Sequence, residues 1–145
     1  MPEDAFTATL GKWIETMRHN SMRRLFRFAR ASGLSMSHLG AIFHTQRFGS
    51  LGVTEIGEHL GVSSAAASQM LERLVQQDLV LRTEDPEDRR AKRIELTEKG
   101  NRILEEGLRV QQSWLNDVSQ TLSKSEKEAI TSALEILIAK VKQIA

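Results

Sequence analysis

The residues whose types and spacing best suit a binding chemistry lie in the middle of the chain and carry hydroxyl, amide and methyl groups. Ser64, Ala65, Ser68 and Gln69 recur at helical spacing, so they share one face of a helix that begins after Ser63. Hydroxyl and amide groups can hydrogen-bond the edges of DNA bases, and an alanine methyl group can contact thymine. The ordinary alternative is a short helix whose small polar face meets only solvent. Taken alone, this stretch supports the two interpretations equally.

Basic side chains concentrate in a second stretch further along the chain. Arg82, Arg89, Arg90, Lys92 and Arg93 crowd together there, whereas the acidic side chains of the surrounding region are spread over predicted helix faces and the base of a loop. The net charge of the chain is only +1, so total charge does not indicate a nucleic-acid partner. The local concentration of positive charge does indicate such a partner, because arginines on a loop can enter the minor groove of DNA, where the potential is most negative.

The first group must be positioned by two helices that meet at a glycine. Thr54 can cap the first helix, Gly61 suits the left-handed residue that ends it, and Ser63 can cap the second. Val62, between the two helices, is expected to enter the core. Apolar or small residues at helical spacing give each helix one buried face. They are Ile56, Gly57 and Leu60 in the first helix and Ala67, Met70, Leu71 and Leu74 in the second.

The second group must be positioned by two strands joined by a polar loop. Residues 79–83 and 92–96 are predicted strands, the latter with apolar residues alternating with charged ones. The loop at residues 84–91 contains a proline and the adjacent Arg89 and Arg90. A helix-turn-helix followed by a strand, a basic loop and a strand is typical of a winged helix-turn-helix.

With its wing at this distance from the turn, the chain resembles the MarR family of bacterial transcriptional regulators over nearly its whole length. The resemblance rests on Asp-Pro-x-Asp-Arg-Arg at residues 85–90 and Leu-Thr-x-x-Gly at residues 96–100. It implies a recognition helix in the major groove and a wing arginine, Arg90, that Asp88 braces. Two positions depart from the family pattern, because Gly57 stands in place of Ala and Asp78 in place of Gly. Asp tolerates the left-handed conformation, so the turn is expected to survive.

The predicted DNA contacts therefore fall on the second helix and the wing. Arg73 is open to two interpretations, since it can reach a phosphate or pair with Glu72 or Asp78. The predicted DNA-binding residues are Ser63, Ser64, Ala65, Ser68, Gln69 and Arg73 on the helix, and Asp88, Arg89 and Arg90 in the wing.

Both ends of the chain predict long helices. A helix over about residues 6–30 would be roughly 37 Å long, more than twice the radius of gyration of about 15 Å expected for a compact chain of this size. Ser35 can cap the next helix, and Thr97 with Glu98 opens another. A capping box over residues 123–126 begins a last helix whose apolar residues are four and three apart. These apolar residues are Ile130, Leu134, Leu137, Val141 and Ile144. An apolar seam of this kind needs a partner, so the first and last helices are expected to form one dimerisation layer, as in the resembled family.

The resemblance also implies a small-molecule site, because members of the family often bind small aromatic acids where the first, second and fifth helices meet the winged domain. Each candidate residue there is equally suited to ordinary core packing. The candidates are Arg18, Phe26, Met36, Phe43 and Trp114. The four histidines show no paired spacing on a helix, so no metal site is expected.

Composition narrows the remaining classes. The chain of 145 residues has no cysteine, which excludes disulfides and thiolate chemistry, and no apolar run long enough to cross a membrane. A cytoplasmic protein without a signal peptide is expected. No nucleophile with a base, phosphate-binding loop or metal cluster supports an enzyme, and no catalytic residue or cofactor is expected.

The sequence thus predicts a mainly α fold with a small β-wing. A winged helix-turn-helix DNA-binding region is expected at residues 35–97, and a helical dimerisation region from both termini at residues 1–34 and 98–145. The expected function is transcription regulation by a homodimer on a pseudo-palindromic site in double-stranded DNA. The regulator is expected to repress transcription, with possible relief by a small aromatic or anionic effector. No membrane partner is expected. The alternative is a winged-helix module that serves protein association without binding DNA.

Overall fold

The computed structural model describes residues 4–88 and 92–144. Within these residues the chain forms helices and a small antiparallel sheet, which confirms the predicted mainly α class with a β-wing. The elements in chain order are α1 (Ala5–Ala31), α2 (Met36–Phe48), β1 (Leu51–Gly52), α3 (Val53–Leu60), α4 (Ser64–Gln76), β2 (Val80–Glu84), β3 (Lys92–Leu96), α5 (Glu98–Thr121) and α6 (Lys124–Ile144).

The chain divides into two compact units, Met1–Gln111 and Gln112–Ala145. The first unit therefore contains everything from α1 through the wing to the first half of α5. The predicted division by function, into residues 35–97 for DNA binding and the two ends for dimerisation, stays a prediction.

The core of the first unit is built around α2, since α1, α3, α4 and β3 all pack against it. Ser35 caps this helix as predicted: its Oγ accepts the His38 backbone N–H at 3.2 Å. Leu39 and Ile42 are fully buried on its inward face. Complete burial of an aliphatic side chain contributes about 1.5–3 kcal/mol, so these helices are held mainly by their apolar faces. The fully buried aliphatic residues of the neighbouring elements are Ile56, Leu71, Leu74 and Ile94.

The three strands are arranged in the order β1-β3-β2, and both pairings are antiparallel. Leu51 lies opposite Ile94, so a short strand before α3 joins the wing sheet. In the hairpin, Val80 lies opposite Leu96 and Glu84 lies opposite Lys92. The buried Ile94 anchors the central strand to the core, whereas the far end of the hairpin extends away from it.

Two local predictions are wrong. Gly52 rather than Thr54 caps α3, because β1 runs straight into this helix and places Thr54 inside it. Glu55 completes this cap by accepting the Gly52 N–H on its Oε2 atom at 2.7 Å. Val62 does not enter the core, since 38% of it is exposed. Its backbone N–H donates to the Gly57 carbonyl at 2.9 Å, and this closure of the helix end leaves the side chain outside.

The first helix buries only its C-terminal part. α1 has 27 residues, about 40 Å of helix, and its buried residues are Leu25, Phe28 and Ala29. Further toward its N-terminus, Phe6 is 59% exposed and Trp13 is 37% exposed. None of the described residues in this half of α1 is buried.

In the second unit, α6 begins at the predicted capping box. Ser123 donates its backbone N–H to the Glu126 carboxylate at 2.8 Å and accepts the Glu126 N–H on its hydroxyl at 3.3 Å. None of the residues from Lys124 to Ile144, all of which the structure describes, is buried. The apolar seam of α6 is thus accessible over its whole length. No helix within the described part of the chain is long and apolar enough to cross a bilayer.

Candidate nucleic-acid interface

Helix α4 presents the predicted polar face to solvent. Its N-cap is Ser63, whose Oγ accepts the Ala66 backbone N–H at 3.2 Å. Ala67, Met70, Leu71 and Leu74 are buried on the inner face. All six residues predicted on this helix are exposed, namely Ser63, Ser64, Ala65, Ser68, Gln69 and Arg73. The structure therefore brings these six together on one accessible surface.

The turn before α4 fixes how the two helices of the motif cross. Gly61 has φ 66°, in the left-handed region, where a side chain would be strained. At Gly57 a Cβ atom would lie 3.1 Å from the Val62 carbonyl oxygen and 3.4 Å from the Ala67 Cβ atom. The glycine found in place of the family's usual alanine thus allows α3 to approach the start of α4 closely.

The base of the wing is held by three ion pairs, which the sequence did not reveal. Arg82 on β2 lies 3.3 Å from the Glu72 carboxylate on α4, and Lys92 on β3 lies 3.3 Å from Glu84 across the hairpin. The third pair joins Arg93 to Asp85. Three of the five cations expected to supply the positive field are therefore paired with acids. Their charges act mainly to position the wing.

The pair at the start of the wing loop is the most constrained of the three. Asp85 accepts the Glu87 backbone N–H at 2.8 Å on one oxygen and the Arg93 Nε–H at 2.5 Å on the other. These hydrogen bonds lower the pKa of Asp85, first through Glu87 and then through Arg93. Arg93 also donates to the Ser50 carbonyl at 3.2 Å, which ties the loop to the chain before β1. Asp85-Pro86-Glu87 is thus a fixed turn that begins the wing loop.

The loop tip is described only up to Asp88. Arg89 and Arg90 lie outside the described residues, so the bracing of Arg90 by Asp88 stays a prediction.

Arg73 does not form the ion pair with Glu72 that the sequence allowed, because the Glu72 carboxylate is held by Arg82. Arg73 instead lines a cleft of about 290 Å³ between α4 and the start of α2. Ser37, His38 and Val62 line the same cleft, as does Gln69. Sequence analysis missed this cleft and its two α2 residues. The sequence feature that could have indicated this cleft is Ser35-x-x-His38, a capping box with histidine in the position usually held by Glu or Gln.

Asp78, the second departure from the family pattern, has φ 58°. It is therefore in the left-handed conformation that glycine adopts at such turns, as expected for aspartate. Its carbonyl accepts the Thr97 hydroxyl at 2.6 Å. This turn joins α4 to the wing and is hydrogen-bonded to the start of α5.

The candidate ligand residues are placed in several different environments. Phe26 lines one cleft of about 490 Å³ together with Arg18, and a second of about 360 Å³ together with Met36. Phe43 packs against the core cluster, which makes it a structural residue. Trp114 is buried and belongs to the second unit. The structure thus groups Phe26 with Arg18 and with Met36, but it does not bring Phe43 into either cleft.

Three of the four histidines, His38, His44 and His59, have packing roles. His44 and His59 stack with ring centroids 5.1 Å apart, and Phe48 stacks on His59 at 4.8 Å, so the three rings join α2 to α3. His38 is 7% exposed. Among the described residues no group of three or more His, Cys, Asp or Glu side chains is placed to hold a metal ion.

Comparison with known proteins identifies the fold and relates the middle of the chain to a known family. Residues 32–91 match the model of the MarR family. The chain is 36% identical over 76 residues to the "HTH-type transcriptional repressor MdtR" of Bacillus subtilis, which covers 52% of this chain and 49% of that protein. The chain spans only 49% to 65% of the length of three curated relatives that it matches.

Solved structures with low sequence identity share the whole fold. The transcriptional regulator Tm0710 of Thermotoga maritima superposes with a TM-score of 0.85 at 20% identity, over 97% of this chain and 96% of that one. A mutant of MepR from S. aureus, solved bound to an oligodeoxyribonucleotide, superposes with a TM-score of 0.73 at 17% identity, over 91% and 97%. The chain therefore has the winged helix-turn-helix fold of these structures, and its residues 32–91 match the MarR family model.

Proposed function

We propose that this protein is a sequence-specific DNA-binding transcription regulator that acts as a homodimer on a pseudo-palindromic operator. The observation that carries the proposal is the division of α4 into two faces. Its inner face is locked in the core, while its outer face exposes hydroxyl, methyl and amide groups and contains no large apolar side chain. Such a helix is rigid before binding and offers the groups that hydrogen-bond base edges in the major groove.

The wing supplies the second contact in this proposal. Ion pairs fix its base, so the loop that contains Arg89 and Arg90 is carried by a well-held hairpin. Those two arginines are proposed to enter the minor groove beside the recognition helix, with Asp88 bracing Arg90. The MepR mutant bound to an oligodeoxyribonucleotide supports a DNA-binding role for this fold.

Dimer formation is proposed from the exposed apolar residues of each unit. Ile130, Leu134 and Val141 on α6 are 44%, 38% and 56% exposed. Apolar rows with this four-and-three spacing are buried when a second helix packs on them. A second copy of the chain would cover α6, and it would also cover the exposed N-terminal half of α1.

Repression is the proposed direction of regulation, because the relative MdtR is named a transcriptional repressor. A regulator of this kind would act in the cytoplasm, where the DNA is. A small aromatic or anionic effector is proposed to relieve repression. The two clefts that share Phe26 support this part of the proposal, since each combines an aromatic ring with arginine side chains.

The test is to select fragments of the protein's own genome with the purified chain and then to measure affinity by fluorescence anisotropy. Selected fragments should contain two related half-sites about one helical turn apart, or a multiple of that distance. Gln69→Ala should relax preference at one base position per half-site, at a cost of about 1–3 kcal/mol. Gln76→Ala is the matched control, because Gln76 is an exposed glutamine two turns further along the same helix.

Absence of salt-dependent binding to any duplex would overturn the proposal. It would favour the alternative of a winged-helix module for protein association. Equal effects of Gln69→Ala and Gln76→Ala would keep DNA binding but remove the recognition-helix mechanism.

A further inference from the structure

A buried histidine lies against the recognition surface. The cleft between α4 and the start of α2 is lined on one side by Gln69 and Arg73, which belong to the proposed DNA-binding face, and on the other by Ser37 and His38. His38 is 7% exposed, whereas both α4 residues are exposed. The cleft therefore connects a titratable group in the core with a cation proposed to contact DNA.

The hydrogen bonds of His38 require its neutral form. Its Nδ1 atom accepts the Ser35 backbone N–H at 3.1 Å, and its own backbone N–H donates to the Ser35 hydroxyl at 3.2 Å. Because Nδ1 is an acceptor, the single ring proton of the neutral imidazole is on Nε2. Protonation of Nδ1 would replace this acceptor with a donor that faces the Ser35 N–H, and half of the capping box would be lost.

The surroundings also oppose a positive charge on the ring. Burial lowers the pKa of His38, and the positive charge of Arg73 lowers it further. The elements packed against α2 are α1, α3, α4, β3 and, at Phe43, α5. Among their described residues, the charged group that acts on the His38 ring is Arg73 of α4. The interaction is reciprocal, so a proton on His38 must repel the Arg73 guanidinium.

We propose that His38 is a positioning residue for Arg73, and that its protonation displaces Arg73 and loosens the start of α2, so that DNA affinity falls in mildly acidic solution. This inference rests on the proposed DNA-binding function. Its sign is distinctive, because a proton on an exposed histidine adds positive charge and so favours binding to DNA. A loss of affinity with acid must come from a group whose charge disturbs the interface.

The experiment compares operator affinity from about pH 8 to about pH 5, at constant ionic strength, for the wild type and two histidine variants. His38→Gln keeps an acceptor at the capping-box position but cannot be protonated in this range. It should match the wild type at the alkaline end and should lose no affinity as the pH falls. The wild type should lose affinity by about fivefold, the order of magnitude expected for repulsion between two neighbouring like charges in water. His19→Gln is the matched control and should keep the wild-type loss.

Two further measurements separate positioning from simple unfolding. First, Arg73→Gln should raise the pKa of His38 in an NMR titration of its imidazole, a readout that needs no DNA. Second, in a protein that already carries Arg73→Gln, adding His38→Gln should no longer change the acid dependence of affinity. Circular dichroism at each pH checks that every variant remains folded under the conditions compared, and His38→Asn replaces His38→Gln if the latter fails to fold.

Superposition of the wild-type and His38→Gln profiles, with tight binding at alkaline pH, would refute the role of His38 and leave DNA binding intact. Binding by neither protein at any pH would instead overturn the proposed function together with this inference. An unchanged His38 pKa in Arg73→Gln would show that the two side chains do not act on each other.

Discussion

The Leu-Thr-x-x-Gly run at residues 96–100 has a physical reason in the structure, and it yields a quantitative prediction. A Cβ atom added at Gly100 would lie 2.0 Å from the Leu79 carbonyl oxygen, whereas real Cβ atoms essentially never come within 3.0 Å of another heavy atom. That carbonyl accepts the Thr97 backbone N–H at 3.1 Å. Alanine at position 100 must therefore push the turn after α4 away from α5 by about 1 Å.

The cost of this displacement follows from the contacts at the same joint. Besides the Thr97 N–H, the Thr97 hydroxyl donates to the Asp78 carbonyl at 2.6 Å and Lys99 donates to the Gln77 carbonyl at 2.7 Å. Each such hydrogen bond contributes about 0.5–1.5 kcal/mol net. Overpacking by itself costs typically about 1–3 kcal/mol. Partial loss of these bonds together with strain predicts that Gly100→Ala lowers the free energy of unfolding by about 3 kcal/mol.

The assay is equilibrium urea unfolding followed by circular dichroism, with all variants at one protein concentration because subunit association would shift the midpoint. Gly11→Ala is the control, since Gly11 lies inside α1 with no atom within 4 Å of the position of an added Cβ. That variant should gain roughly 0.8–1.0 kcal/mol from helix propensity. If Gly100→Ala is within about 0.5 kcal/mol of the wild type, the close approach of α5 to Leu79 is not a constraint on the fold.

Three further predictions address the dimer, the wing and the turn. Leu137→Asp places a charge in the α6 seam and should dissociate or unfold the proposed dimer, so an unchanged mass in light scattering would exclude this seam as the interface. Arg90→Ala should weaken binding to operator and random DNA alike and flatten the slope of log affinity against log salt by roughly 0.9 for each phosphate that is no longer neutralised, with Asp88→Asn giving a milder defect. An unaltered slope and affinity in Arg90→Ala would show that the wing does not touch DNA. Asp78→Val should cost roughly 1–2 kcal/mol in urea unfolding, because a β-branched residue is strained at φ 58°, whereas Asp78→Gly should cost nothing.

The sequence predicted the helix-turn-helix well at positions where a residue type has one characteristic structural role. A serine before a helix and a glycine after one identified the ends of both helices of the motif, and the cap at Ser63 and the left-handed Gly61 are confirmed. The same logic failed at Thr54, because the competing cap is completed by Glu55 and a strand of two residues. It failed at Val62 because an apolar residue in a turn follows the backbone that closes the helix, and that backbone directs it away from the core.

Features that depend on distant partners could not be predicted. The ion pairs at the wing base require the register of the hairpin, which sets Glu84 opposite Lys92 and Thr83 opposite Arg93. The Glu72–Arg82 pair requires in addition that α4 lie beside β2. A basic cluster in the sequence therefore suggested a larger positive field than the paired side chains provide. The cleft at His38 was missed for the same reason, since Ser37 and Arg73 are far apart in the chain.

Helix α4, the proposed recognition helix, is held at three separate places, and this arrangement determines what its exposed face can do. Its N-terminus is fixed by the Ser63 cap, its middle by the pair between Glu72 and Arg82, and its C-terminal turn by the bonds from Thr97 and Lys99 to the carbonyls that follow it. A face fixed in this way loses little conformational entropy on binding, so more of its contact energy can serve discrimination between sequences. These three sets of contacts involve, respectively, the turn between α3 and α4, the wing and α5. A disturbance in any of these elements can therefore change the affinity for DNA through the orientation of α4, without altering a residue that touches a base.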